Sequence, residues 1–437
     1  MQHQALPGFR EFYPEEFAHH RHVLDTWRRV ALRYAFEEYD GPPLEPLDLY
    51  TAKSGDEIVG QLYAFTDKGG REVALRPEMT PTLARMVGAH ARALKKPIRW
   101  FSMPQLFRYE RQQRGRLREH FQLNCDLIGE PGPAVDAEII ALAIDIMRAL
   151  GLTEKDVRVR ISDRRLLNAI LKEVGLGAAH HRQAYQLLDK LGRGEYGEIR
   201  KALSTAGVSE PALERLERIR DLKDWEALEA AFPAAARTGA PLREVFGALE
   251  AMGLGGFADL DLTIVRGLAY YTGTVFELFD AGFSLRAICG GGRYDTLLES
   301  LGGDPMPALG FGMGDVVLTE LLREKQLLPE AMSVLDVFVA AVTPEDLTEV
   351  LAIAHQLREA GCRVEYPLTL TALGKQLKLA GARRARLAVV VGPDDRARGE
   401  VLLKTLATGG QRAVPRSDVV ATVTAALSSL TSSLATT

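Results

Sequence analysis

The sequence predicts an α+β protein of two or three domains, on three grounds. Its 437 residues exceed the size at which one hydrophobic core stops growing. Helical and strand-like periodicities mix through residues 1–165, give way to a helix-only stretch over 166–250 and return over 251–325. Residues 333–430 then read as a separate α/β unit. Hydrophobic residues make up 46% and charged residues 26%, which excludes a disordered or fibrous chain. With 54 basic and 58 acidic side chains, any nucleic-acid contact must come from a local basic patch. Cys125, Cys289 and Cys362 show no CxxC spacing, which argues against a disulfide framework and for a reducing cytoplasm. The opening MQHQALPGFREFYPEE has no apolar signal core, and no apolar run reaches membrane-spanning length, so a cytoplasmic protein without membrane contact is expected.

Along the chain, residues 21–39 read as an amphipathic helix, with Val23, Leu24, Trp27, Val30, Ala31 and Tyr34 at helical spacing and Gly41-Pro42-Pro43 as its stop. Strands are expected over 73–75, 98–103 and 121–128, and a helix over 134–150 closed by Gly151. Runs such as LLDKLGRGEYGEIRKAL and PALERLERIRDL mark the helical module. Residues 308–318, ALGFGMGDVVL, read as a glycine-bearing strand entering a helix, and 322–332 as a charged linker. In the last unit, 336–342 predicts a strand, and Leu347, Val350, Leu351, Ala354 and Leu357 predict a helix ended by Gly361. Strands follow at 363–366 and at 387–391, the latter apolar enough for a central position, and the Ser/Thr/Ala tail is expected to fray.

Chemistry concentrates in a few stretches. Residues 107–126, FRYERQQRGRLREHFQLNCD, read as strand, basic loop, strand. Alternation puts Arg108 and Glu110 on one face, where an arginine can hold a phosphate bidentately and a glutamate can accept from an amino group such as that of adenine. Gln122 and Asp126 also share a parity, although the same stretch fits a basic hairpin on a solvated edge. In IVRGLAYYTGTVFE, Arg266 sits in an apolar run and would be costly to bury unless an anion meets it, and Tyr270 and Tyr271 face opposite sides if the segment is a strand. CGGGRYDTL lets backbone approach closely or makes a tight turn, and it matches neither GxGxxG nor the P-loop. In LRPEMT, Glu78 and Thr80 stand at a strand-to-helix turn, with Thr80 equally suited to an N-cap. His19, His20 and His22 lie in a polar helical segment and read as solvated; no histidine spacing suggests zinc.

Taken together and in this order, these segments resemble the histidyl-tRNA synthetase family of class II aminoacyl-tRNA synthetases, over nearly the whole chain. PGFREFYPEE, RPEMT, FRYERQQRGRLREHFQ, VRGLAYYTGTVFE, CGGGRYDTL and GKQLKLAGARRARLAVVVG carry the likeness, with VRGLAYY and GGGRYD the most specific. The resemblance implies an antiparallel-sheet catalytic domain, interrupted by the helical insertion, and a C-terminal α/β domain of the anticodon-binding type. It implies a homodimer through residues 21–46, adenylation of L-histidine by ATP with Mg²⁺ and no protein-held metal, and transfer of the histidyl group to tRNA(His). By position, Arg108 would bind the α-phosphate and the amino-acid carboxylate, Glu110 the adenine, Arg116 the terminal phosphates, and Arg266 would stabilise the α-phosphate during attack. Glu78, Met79, Thr80, Gln122, Asp126, Tyr270 and Tyr271 would form the histidine pocket, and His120 or Phe121 would stack on adenine. Gln113 and Arg114 would meet the acceptor end of the tRNA, while Lys375, Lys378, Arg383 and Arg384, in a stretch free of acidic residues, would meet its phosphates.

Three departures stand out. Val317 occupies the place of the family's adenine-side arginine, Ala269 that of a common Asp, and Met79 that of a small residue. The missing arginine favours a non-catalytic relative, the regulatory subunit type that accompanies ATP phosphoribosyltransferase. The C-terminal domain and the retained Glu78, Arg108, Gln122, Asp126, Arg266, Tyr270 and Tyr271 favour the ligase.

Overall fold

The computed structural model describes residues 4–51, 59–111, 115–191, 196–266, 270–329 and 335–434. The chain divides into two compact units, Met1–Pro329 and Glu330–Thr437.

In the first unit, the helix α1 spans Pro14–Arg33, with Pro14 in its first turn followed by Glu15 and Glu16, which suit the positive end of the helix dipole. It begins earlier and ends sooner than its apolar spacing suggests. Ala35 takes a positive φ of 58° and turns the chain into a two-residue strand, so the stop precedes the prolines. Val23, Trp27, Val30 and Ala31 are buried. His20 is buried as well, not solvated: its ring stacks on Phe12 at 4.7 Å and meets Phe121 edge-on at 4.6 Å.

A nine-stranded sheet forms the body of this unit, and its strands run in the order β1 (Glu37–Glu38), β5 (Ile98–Ser102), β7 (Glu119–Ile128), β12 (Ala308–Gly314), β11 (Cys289–Arg293), β10 (Thr274–Asp280), β8 (Val157–Asp163), β9 (Ala258–Leu260). β6 (Gln105–Phe107) pairs with β7 off this path. Among the described residues of this sheet only the outermost pairs, β1 with β5 and β8 with β9, are parallel. Leu44–Pro46, Tyr63–Thr66 and Glu72–Leu75 (β2, β3 and β4) make a smaller antiparallel sheet. One long helix, Pro133–Ala149, packs on the large sheet and buries Ile139, Ile140, Ile144, Ile146 and Met147. Among the described residues from Arg164–Glu173 to Ala240–Ala251 the elements are helices and short 3₁₀ turns, and Asp163 caps the first of them by accepting from the Arg165 and Leu166 amides. The segment read as a linker is partly helix, because Leu322 lies fully buried in Asp315–Glu324.

The second unit has its own five-stranded sheet, ordered Val364–Glu365, Val337–Ala341, Leu387–Val391, Glu400–Thr405, Gln411–Pro415. Leu387–Val391 is the middle strand, fully buried as its unbroken apolar run requires. The last two strands are antiparallel and have no strong alternation to announce them. As far as Leu434, the tail read as frayed lies in a helix, Val419–Leu434, anchored by buried Val419 and Val423, and its last three residues lie outside the described residues. Its Thr424 and Ser428 hydroxyls donate to carbonyls one turn back, which suits polar residues to a helix interior.

Candidate active site

Glycine sets the geometry of the site. The CGGGR stretch is a strand, not a turn, and runs antiparallel beside the ALGFGMG strand, pairing Gly290 with Gly312 and Gly292 with Gly310. A Cβ on Gly310 would fall 2.1 Å from Asp126 Oδ1, and one on Gly312 would fall 2.7 Å from the Gln122 side chain. A Cβ on Gly290 would overlap the Arg266 guanidinium. The sheet here is thus a floor of bare backbone on which Asp126, Gln122 and Arg266 lie flat.

Two hollows share this floor and the side chains of Arg108, Gln122 and Arg266. The smaller, about 70 Å³, is lined by Glu78, Thr80, Asn124, Asp126, Tyr270, Tyr271 and Tyr294. The larger, about 660 Å³, is lined by Glu110, Arg116, His120, Arg160, Glu277, Arg286 and Val317, among others. A third cavity, about 360 Å³, shares no wall with them, and its charges answer each other, Arg293 bonding Asp136 and Asp295.

Arg108 and Glu110 reach the larger hollow by a different route from strand alternation. β6 ends at Phe107, and the following residues make their hydrogen bonds to loops: Arg108 N donates to Arg118 O, and Tyr109 N to Gln61 O. Arg108 Nε donates to Pro77 O at 2.9 Å, and Arg116 Nε lies 2.8 Å from Glu110 Oε2. Tyr270 and Tyr271 likewise precede the strand, and both rings turn to one side, 5.0 Å apart. Arg266 holds a φ of 55° and donates to Glu277 Oε1 at 3.0 Å, with the Tyr271 ring 5.6 Å beneath it. Burial opposes its charge, but Tyr271 and Glu277 outweigh burial and hold the guanidinium above its ordinary pKa.

Burial pushes the Asp126 carboxyl up to about 7, against the Tyr294 hydroxyl that donates to it. The Tyr270 hydroxyl donates to Glu78 at 3.4 Å, and burial raises the pKa of both site tyrosines. His120 is drawn down to about 3, by burial first and then by Arg108, so its ring is neutral.

Two candidates fall outside the hollows. Phe121 points the other way along β7 and packs on His20, as strict alternation with His120 demands. Met79 is fully buried, its methyl near Gly41. Gln113, Arg114 and Ala269 lie outside the described residues. Lys375, Lys378, Arg383 and Arg384 are exposed on the second unit, where Arg383 approaches Glu365 at 3.7 Å. Sequence reasoning misses Asn124, Arg160, Glu277, Arg286 and Tyr294 as lining residues. Glu277 and Tyr294 stand inside quoted motifs, and the strand parity of Asn124 with Gln122 and Asp126 is a usable signal. Among the described residues, no group of three or more His, Cys, Asp or Glu could hold a metal ion.

An antiparallel sheet with a cationic, glycine-floored site, followed by a separate α/β unit, is the architecture of a class II synthetase. Residues 8–315 match the family model described as histidyl-tRNA synthetase, and 336–426 match the anticodon binding domain. The chain is 46% identical over 427 residues to a histidine–tRNA ligase of Opitutus terrae, covering 96% of this chain and 98% of that protein. It is 40% identical to the chloroplastic/mitochondrial histidine–tRNA ligase of Arabidopsis thaliana, covering 94% and 85%. The crystal structure of histidyl-tRNA synthetase from Nostoc superposes with a TM-score of 0.82 at 25% identity, over 97% of this chain and 99% of that one. The chain belongs to the histidyl-tRNA synthetase family.

Proposed function

We propose that this chain is a histidine–tRNA ligase that joins L-histidine to ATP as histidyl-adenylate and then passes the histidyl group to tRNA(His). The observation that carries this reading is the convergence of Arg108 and Arg266, from distant parts of the sequence, on the wall between a small polar hollow and a larger cationic one. Histidine suits the small hollow, where Glu78 offers a carboxylate for its ammonium group and Asp126 with Tyr294 offers a buried polar pair. Thr80, Gln122, Tyr270 and Tyr271 complete the enclosure. ATP, entering as its Mg²⁺ complex, suits the larger hollow, whose lining includes Arg108, Arg116, Arg160, Arg266 and Arg286.

In the first step a histidine carboxylate oxygen bonds the α-phosphorus, and the bond from that phosphorus to the bridging oxygen breaks, releasing pyrophosphate. Arg108 and Arg266 face the charge that builds on the α-phosphate, and Glu277 fixes the direction of Arg266. In the second step a ribose hydroxyl at the tRNA 3′ end attacks the histidyl carbonyl, and AMP leaves. Glu110 is proposed to accept from the adenine amino group, and neutral His120 to lie beside the base. We further propose a catalytic domain of residues 1–165 and 251–325 around a helical insertion at 166–250, tRNA contact through the basic face of residues 333–430, and a homodimer through residues 21–46.

Purified protein should exchange pyrophosphate into ATP only when histidine is present. Arg266→Ala should lower that rate by about 100- to 1000-fold, the usual cost of one preorganised donor. Histidine binding with no exchange would instead favour the non-catalytic regulatory relative.

A further inference from the structure

One wall of the larger hollow plays no part in the adenylation chemistry. The hairpin between Thr274–Asp280 and Cys289–Arg293 contributes Phe283, Leu285 and Arg286 to the lining. It is a built loop. The Asp280 carboxylate accepts from Ser284 N and Oγ at 3.0 Å and from Leu285 N at 2.9 Å. Phe283 takes a φ of 50°, and the Arg160 guanidinium sits 3.6 Å over its ring.

Arg286 leaves this framework towards Gly115. A Cβ placed on Gly115 would lie 3.8 Å from Arg286 Cδ and 3.2 Å from Val317 Cγ2, so the arginine and the valine flank the same glycine, one residue from Arg116. Nearby lining from Leu117, Leu285, Val316 and Val317 is apolar, whereas Arg108, Gln122 and Arg266 line the wall shared with the small hollow. A nucleotide spanning the cavity would therefore lay its phosphates towards the shared wall and its flat base among the apolar side chains. Val317 can offer that base only methyl groups. A planar guanidinium on the same side adds an electrostatic contact to the ring face that a methyl cannot.

We propose that Arg286 is a nucleotide-binding residue that packs its guanidinium against the adenine ring of ATP from the hairpin. The proposal rests on the ligase reading, and one experiment separates the two. Steady-state pyrophosphate exchange is measured for the wild-type chain, Arg286→Ala and Arg286→Lys, varying ATP and histidine separately, with a thermal melt of each. Wild-type exchange establishes the activity by itself. Arg286→Ala should then raise the KM for ATP by about thirtyfold, the size of a desolvated cation–π contact, with the KM for histidine and the melting temperature unchanged. Arg286→Lys, which keeps the charge but loses the plane, should fall well short of wild-type ATP affinity. A KM for ATP within twofold of wild type in Arg286→Ala, a parallel rise in both KM values, or full recovery in Arg286→Lys would each overturn the assignment. Should the alanine variant melt below the assay temperature, Arg286→Gln carries the same comparison.

Discussion

Asp126 is buried on the glycine floor, and its carboxyl is displaced from 3.8 to about 7 by loss of water. The folded chain therefore keeps a proton that the unfolded chain sheds as pH rises from about 4 to 7, so this group's contribution to stability falls across that window and levels off above it. Asp126→Asn does not titrate. Its melting temperature relative to wild type should climb between pH 4 and pH 7, and a difference that stays constant with pH would contradict the burial argument. Arg266 is legible in the sequence because a charged group is rare in so apolar a run, whereas Glu78, Arg108 and Asp126 stand out by the motifs and spacing that hold them. The burial of His20 is not legible, since its immediate neighbours His19 and Arg21 are polar and the Phe12 and Phe121 rings that pack on it come from outside its helix.

Among the elements, the glycine strands separate two kinds of space. Gly291 faces backbone: an added Cβ would lie 2.4 Å from the Gly310 carbonyl oxygen, which cannot move without breaking the sheet. Gly312 faces the flexible Gln122 side chain. Gly291→Ala should therefore destabilise the fold by about 3 kcal/mol in denaturant unfolding. Gly312→Ala should leave the melt nearly unchanged and raise the KM for histidine by pushing Gln122 into the small hollow. Equal stability losses in the two variants would refute the distinction. Elements with an unbroken apolar run, such as Leu387–Val391, or a clear helical period, such as Leu347–Glu359, are readable in advance. The site-bearing segments around Arg108 and Tyr270 pass for strand by pattern alone, because nothing in the pattern shows that Arg108 and Tyr109 give their amides to Arg118 and Gln61, or that the two tyrosines lie ahead of the strand. The triple glycine passes for a turn because a strand without side chains leaves no periodicity to detect.

For the whole molecule, sequence order and motif spacing disclose a two-part chain, but not the packing that closes each part. In the second unit, Lys375 and Lys378 project from Leu373–Ala382, a helix whose buried Gln376 bonds the Ala341 amide and carbonyl on the neighbouring strand. Replacing Lys375, Lys378 and Arg383 together by alanine should weaken tRNA binding, with the salt slope reduced by about one for each phosphate that is no longer neutralised. Exchange of pyrophosphate into ATP should be untouched, and an unaltered slope would make this a merely hydrated surface. In the first unit, Arg10 grips Glu119 and, at 2.8 Å, Asp315, whose other oxygen takes the Phe121 amide at 3.0 Å. A chain growing from the ribosome cannot fasten the Asp315 side of that clasp until residue 315 has emerged, so Arg10 and the Phe121 amide, made far earlier, must wait for their shared carboxylate.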